Sequence, residues 1–186
     1  MSEIENIAKE MIAKGKGILA ADESTGTMTK RLASVKVEST SENRLKFRET
    51  LFSAEGMKNY IGGVILYDET IKQKTSSGKT VPELIKSFGS IPGIKVDTGT
   101  KKLAGSPEEK VTEGLDGLRE RLSEYYKLGA RFTKWRAVYN ISKKYPSELA
   151  IKSNAHALAR YASLVQEARM VPIVEPEVLM DGDHNI

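Results

Sequence analysis

The chain has 186 residues, 39% hydrophobic and 29% charged, with a formal net charge of +4. That balance belongs to a globular protein able to bury a core, and no window nears the ~20 apolar residues a membrane-spanning helix requires. Cysteine is absent, which excludes disulfides and thiolate metal sites and fits a reducing compartment, so a cytoplasmic location is expected.

The first element predicted is a helix, with Ile4, Ile7, Ala8 and Met11 on one side before Gly15. A short apolar strand follows at 17–21 and ends in Asp22 and Glu23. Residues 41–54 read as a helix with Ser41 as its N-cap. Strands are expected at 62–67, ending in Asp68 and Glu69, and at 93–96, ending in Asp97. Leu115, Leu118, Leu122 and Tyr125 form a helical stripe closed by Gly129. A strand at 131–135 ends in Arg136. Pro146 then opens a helix whose stripe is Ile151, Ala155, Leu158, Ala162 and Val165. The last strand, 171–174, runs into Glu175 and Glu177. The basic residues are scattered along all of this without aromatic interleaving, which argues against a nucleic-acid partner. The start of the chain carries no secretory signal pattern.

Near-continuous apolar strands alternating with helices indicate an α/β fold with a buried parallel sheet. An open doubly wound sheet announces itself with a glycine-rich turn after its first strand. Here that turn is Asp22-Glu23-Ser24-Thr25-Gly26. Charged residues ending successive strands match instead a TIM (β/α)8 barrel, whose chemistry sits at the C-terminal strand ends. Only about the first five β/α units are expected, as a single incomplete barrel domain over 1–186 that stops after Ile186 with the edge beside the last strand open.

Residues two apart in a strand share a face. Lys95 therefore goes with Asp97, Lys134 with Arg136, and Glu175 with Glu177, with Asp22 nearby on the first strand. Taken singly, each is an ordinary solvated strand end. Their repetition at equivalent ends predicts one charge cluster suited to acid–base chemistry on an anionic ligand. Ser76-Ser77-Gly78-Lys79-Thr80 lacks the earlier glycine of a phosphate-binding P-loop and reads as a surface turn. Asn140-Ile141-Ser142 is a glycosylation sequon without a secretory context, and His156 falls off its helix's apolar stripe, facing solvent. His184 with Asp181 and Asp183 does not complete a recognisable metal spacing, so no metal is expected.

The run Gly15–Gly26 resembles the first strand of class I fructose-bisphosphate aldolases. So do Gly93-Ile94-Lys95-Val96-Asp97, Phe132-Thr133-Lys134-Trp135-Arg136, and Val171–Glu177 with its Glu175-Pro176-Glu177 ending. Leu103-Ala104-Gly105, Gly114–Leu118 and Leu158–Ala162 are similar as well, so the resemblance spans the chain in order. It implies reversible cleavage of fructose 1,6-bisphosphate through a lysine imine, with no cofactor and no metal. By the same resemblance Asp22 assists proton transfer, and Glu175 is the acid–base carboxylate with Glu177 as its neighbour. Lys134 helps activate the carbinolamine. Lys95, Arg136, Ser24, Thr27, Arg31 and Arg44 contact the sugar phosphate. Thr27 stands where a serine is common in the family. The family's imine-forming lysine lies in a Leu-Lys-Pro-Asn-Met-type strand that this sequence does not contain, so the chain alone is expected to be inactive. The family is often tetrameric, which makes a homo-oligomer part of what the resemblance implies. Two other readings stand beside it: a non-catalytic assembly partner of an intact aldolase, and a metal-dependent sugar-phosphate lyase using His184.

Overall fold

A computed structural model describes residues 2–185, so the expectation concerning Ile186 lies outside the described residues. In chain order the elements are α1 (Glu3–Met11), β1 (Gly17–Ala21), α2 (Thr25–Ser34), α3 (Ser41–Phe52), α4 (Met57–Tyr60), β2 (Ile61–Leu66), α5 (Asp68–Ile71) and α6 (Val81–Ser87). There follow β3 (Ile91–Lys95), β4 (Gly99–Leu103), β5 (Ser106–Glu113), α7 (Leu118–Leu128), β6 (Phe132–Tyr139), α8 (Glu148–Glu167) and β7 (Val171–Val178). The five expected strands pair in parallel in the order β1-β2-β3-β6-β7. They curve through 222° as part of a TIM barrel, which is the architecture the strand ends pointed to.

Strand alternation sorts the side chains into two apolar layers. Outward-facing Val64, Leu66, Ile94, Trp135 and Ala137 meet the helices, where Leu118, Leu122, Leu158, Tyr161 and Val165 are also buried. Inward-facing Ile65 and Phe132 join Met11, with Ile7, Ile18, Ile91, Val171 and Ile173 packed around them. Each fully buried side chain of this kind contributes roughly 1.5–3 kcal/mol. The inner layer needs glycine at one place: a Cβ on Gly93 would stand 2.3 Å from the Phe132 ring. Phe132 fills the volume that Gly93 leaves empty.

Several expectations shift. The N-cap of α3 is Thr40, whose side chain accepts from Asn43 N, and not Ser41. In α8 the buried stripe is Ala150, Asn154, Ala157, Leu158, Tyr161 and Val165, while Ile151 is 46% exposed and Ala155 is exposed too. The face is rotated because Asn154 is spoken for. Its amide accepts from Thr112 N at 3.2 Å and donates to Lys110 O at 2.9 Å, hooking the antiparallel β4–β5 hairpin onto the helix. Sequence reading missed that hairpin, since its charged strands carry no apolar alternation; Gly105, at φ 85, marks its turn. Also missed were α2, capped by Ser24, and α6, whose capping box joins Thr80 to Glu83. The Ser76–Thr80 run is indeed an exposed turn, and its threonine caps α6. His156 is exposed, as its position off the stripe required.

Candidate active site

The site forms where β1, β3, β6 and β7 end. Asp22 leaves β1 pointing inward, and its Oδ2 lies 2.6 Å from Lys134 Nζ on β6. Glu175 Oε2, on β7, stands 3.4 Å from the same ammonium. That separation is an ion pair without hydrogen-bond geometry, so this buried carboxylate oxygen keeps an unused acceptor. The β6–β7 register sets Arg136 opposite Glu175. The Arg136 guanidinium nevertheless reaches past it to pair with Glu177. Glu175 is thereby left to Lys134.

Asp97, two residues beyond Lys95, is the hub on the neighbouring strand. Its side chain is 4% exposed; it stands 3.5 Å from Lys95 Nζ and accepts from Gly99 N at 3.1 Å and from Arg136 N at 3.4 Å. The sequence placed Asp97 in the charge cluster but gave it no role. Its period-two relation to Lys95 was the available signal.

After β1 the chain turns into α2, so Ser24, Thr27 and Arg31, spaced 0, 3 and 7, lie along one helical face. Ser24 Oγ accepts from Thr27 N at 3.3 Å and lies 3.2 Å from Thr27 Oγ1. These residues, with Asp22, Glu23, Lys95, Asp97, Lys134 and Arg136, border a cavity of about 380 Å3 at the open end of the half-barrel. Larger grooves exist elsewhere on the surface, but the α7–α8 groove lacks comparable buried charge. Arg31 pairs with Glu23 at the rim.

Arg44 does not reach the cavity. Its guanidinium is taken by Glu69 in a bidentate pair, at 2.8 Å through Nε, and donates at 2.6 Å to Ser39 O. In this structure Arg44 is therefore held by Glu69 and Ser39 and does not line the cavity. The acidic end of β2 is likewise structural: Asp68 accepts from Tyr125 Oη at 2.8 Å and pairs with Lys72. Among the described residues no group of three or more His, Asp or Glu side chains gathers as a metal site.

Electrostatics at the centre have a definite sign. Burial pushes the Lys134 amine down, but the hydrogen bond and charge of Asp22, with Glu175 and Asp97 beyond, outweigh it. The amine is held above the ordinary lysine value and stays charged at neutral pH. Buried ion pairs seldom repay their desolvation in stability, so a set of them at one barrel mouth points to chemistry.

A family model described as fructose-bisphosphate aldolase class-I matches residues 3–186. The chain belongs to the class I fructose-bisphosphate aldolase family. A probable class 1 aldolase of Xanthomonas campestris pv. campestris is 56% identical over 186 residues, covering 100% of this chain and 56% of that protein. Aldolase B of Gallus gallus is 56% identical over 184 residues, 98% of this chain and 50% of its own. Among solved structures, an aldolase from Plasmodium falciparum, in complex with TRAP and a small-molecule inhibitor, superposes with a TM-score of 0.95 at 49% identity. It covers 98% of this chain and 53% of its own. The aldolase-family chain thus spans about half the length of the curated relatives it matches. No helix among its described residues is long and apolar enough to cross a membrane.

Proposed function

We propose that this chain supplies the acid–base and substrate-binding side of an active site that cleaves fructose 1,6-bisphosphate reversibly into dihydroxyacetone phosphate and glyceraldehyde 3-phosphate. The observation that carries the reading is the Lys134 ammonium held between Asp22 and Glu175. In imine formation a carbinolamine must lose water, which needs a proton donor at the departing hydroxyl. Glu175, with a free buried oxygen beside a cation, is placed to carry that proton. Glu177, through Arg136, keeps the neighbouring cation off Glu175. Lys134 polarises the carbinolamine, and Asp22 takes up the proton of a substrate hydroxyl as the carbon–carbon bond opens.

The cations sort by exposure. Lys134 is 11% and Lys95 18% exposed at the side chain and face the sugar's hydroxyls. Arg31 at 55% and Arg136 at 43% stand at the rim, where phosphates retain water. Ser24 and Thr27 at the start of α2 add hydroxyl donors beside a helix N-terminus, an environment suited to phosphate. The nucleophilic lysine is a different matter. An ammonium has no lone pair with which to attack a ketone, and Lys134 is kept as an ammonium. We therefore assign the imine to a lysine outside these residues and expect the isolated chain to be inactive. Cytoplasmic location and homo-oligomerisation are carried by the family resemblance.

The test uses the chain as it is. Fructose 1,6-bisphosphate should perturb the NMR signals of Asp22, Arg31 and Lys134, and Arg31→Ala should weaken that binding several-fold. Borohydride added with substrate should leave the protein mass unchanged. A reduced adduct on Lys95 or Lys134 would overturn the division of roles, and undisturbed signals throughout the cavity would overturn the substrate assignment.

A further inference from the structure

The side chain of Arg48, on α3, is fully buried and donates through all three of its nitrogens. Its Nε donates to Ala21 O at 3.0 Å, its Nη1 to Thr70 Oγ1 at 2.8 Å, and its Nη2 to Glu23 O at 2.5 Å. The side chain is 0% exposed, and the nearest carboxylate oxygen, Glu23 Oε2, is 3.7 Å away without a hydrogen bond. A guanidinium buried at this depth ordinarily takes a carboxylate through its fork. This one spends two arms on main-chain carbonyls instead, and those carbonyls flank a single residue, Asp22.

We propose that Arg48 is a positioning residue that acts through Asp22: by gripping the carbonyls on either side, it fixes the end of β1 so that the Asp22 carboxylate stays on Lys134. Thr70, itself fully buried, anchors the third arm to α5, the short helix that follows β2. The clamp thus ties the end of β1 to α5, beyond Ala21 and Leu66, the last paired residues of β1 and β2. The inference rests on the reading of Asp22, Lys134 and Glu175 as the working centre.

Two effects of losing Arg48 have opposite signs. Removing its positive charge alone would make the Lys134 amine titrate higher. Releasing Asp22 from Lys134 would make it titrate lower, since a buried amine without its carboxylate sheds its proton more readily. The charged groups around Arg48 are Glu23, Glu69, Arg44 and Asp22, and those around Lys134 are Asp22, Glu175 and Asp97. Arg48→Lys keeps the charge and loses the fork. Thr70→Val keeps the charge and removes one anchor.

The experiment follows Lys134 in the full chain by NMR of reductively methylated lysines and by its rate of acetylation at fixed pH. Arg48→Lys should shift the titration to lower pH and speed acetylation about threefold, the change given by a fall of about half a pH unit. Thr70→Val should do the same more weakly. Phe52→Leu, one turn along α3 and equally buried, should lower the melting temperature without moving Lys134. Asp22→Asn gives the reference shift. If Asp22→Asn shifts Lys134 and Arg48→Lys does not, or if Phe52→Leu shifts it as far, the positioning role is overturned and the proposed function stands. If Asp22→Asn itself leaves Lys134 unmoved, the reading of the centre falls first.

Discussion

At the scale of single residues, the decisive contacts join side chains far apart in sequence. Asp22 and Lys134 are more than a hundred positions apart and 2.6 Å apart in space. Their coupling gives a signed prediction. The folded Lys134 amine is raised above its ordinary value of 10.5. The pair's contribution to stability is therefore complete below that value and lost as pH climbs through the raised one. Urea unfolding followed as pH rises above 10.5 should show the loss, and Asp22→Asn should abolish that part of the pH dependence. A profile identical in the variant would sink the assignment. A second prediction concerns packing. Gly93→Ala places a methyl group against the Phe132 ring and should destabilise the fold by about 1–3 kcal/mol, the range for overpacked cores. Equilibrium denaturation measures it, and pairing the change with Phe132→Leu should recover much of the loss.

At the scale of elements, polar hooks decide where pieces dock. Asn154 ties the hairpin to α8, and Glu109 ties it again, accepting from Ser147 N at 2.8 Å and from Ser106 Oγ at 2.8 Å. Asn154→Ala strands a buried amide hydrogen at Thr112 and should cost about 1–3 kcal/mol. Hydrogen exchange should show β4 and β5 opening before the parallel sheet does. Uniform exchange across both sheets would refute a hairpin held mainly by this residue. Burial raises the Glu109 carboxyl, yet the donors from Ser147 and Ser106 outweigh it and hold the group below its ordinary 4.5. A depressed carboxyl stabilises above its unfolded value and loses that contribution as pH falls through the folded one. Glu109→Gln should therefore flatten the acid limb of stability below about pH 4.5, as read from unfolding midpoints at graded pH. Arg121 repeats at β3 what Arg48 does at β1: it donates to Val96 O at 2.8 Å, one residue before Asp97. Neither clamp was legible in the sequence, because a carbonyl acceptor leaves no mark on residue identity.

At the scale of the molecule, among the described residues β1 and β7 each pair on one side only, and the outer face of β7 leaves Val174 46% and Val178 53% exposed. An unpaired strand edge beside exposed valines invites intermolecular pairing. Light scattering of the purified chain should rise with concentration, and Val178→Lys should reduce it. A monomer at all concentrations, unfolding in one cooperative step, would contradict this.

What the sequence by itself determined is what repeats locally. Apolar runs of strand length announced five parallel strands, and period-two spacing announced which charged residues share a face. Family motifs announced the family to which the chain belongs. Tertiary structure alone decided which charges meet. It gave Lys134 to Asp22 and Glu175, gave Arg136 to Glu177, and paired Arg44 with Glu69. It also rotated the buried face of α8, because Asn154 finds better use on the hairpin than in solvent. The physical reason is that strand and helix periods act over a few residues and survive as patterns, whereas a buried charge chooses its partner by distance across the fold.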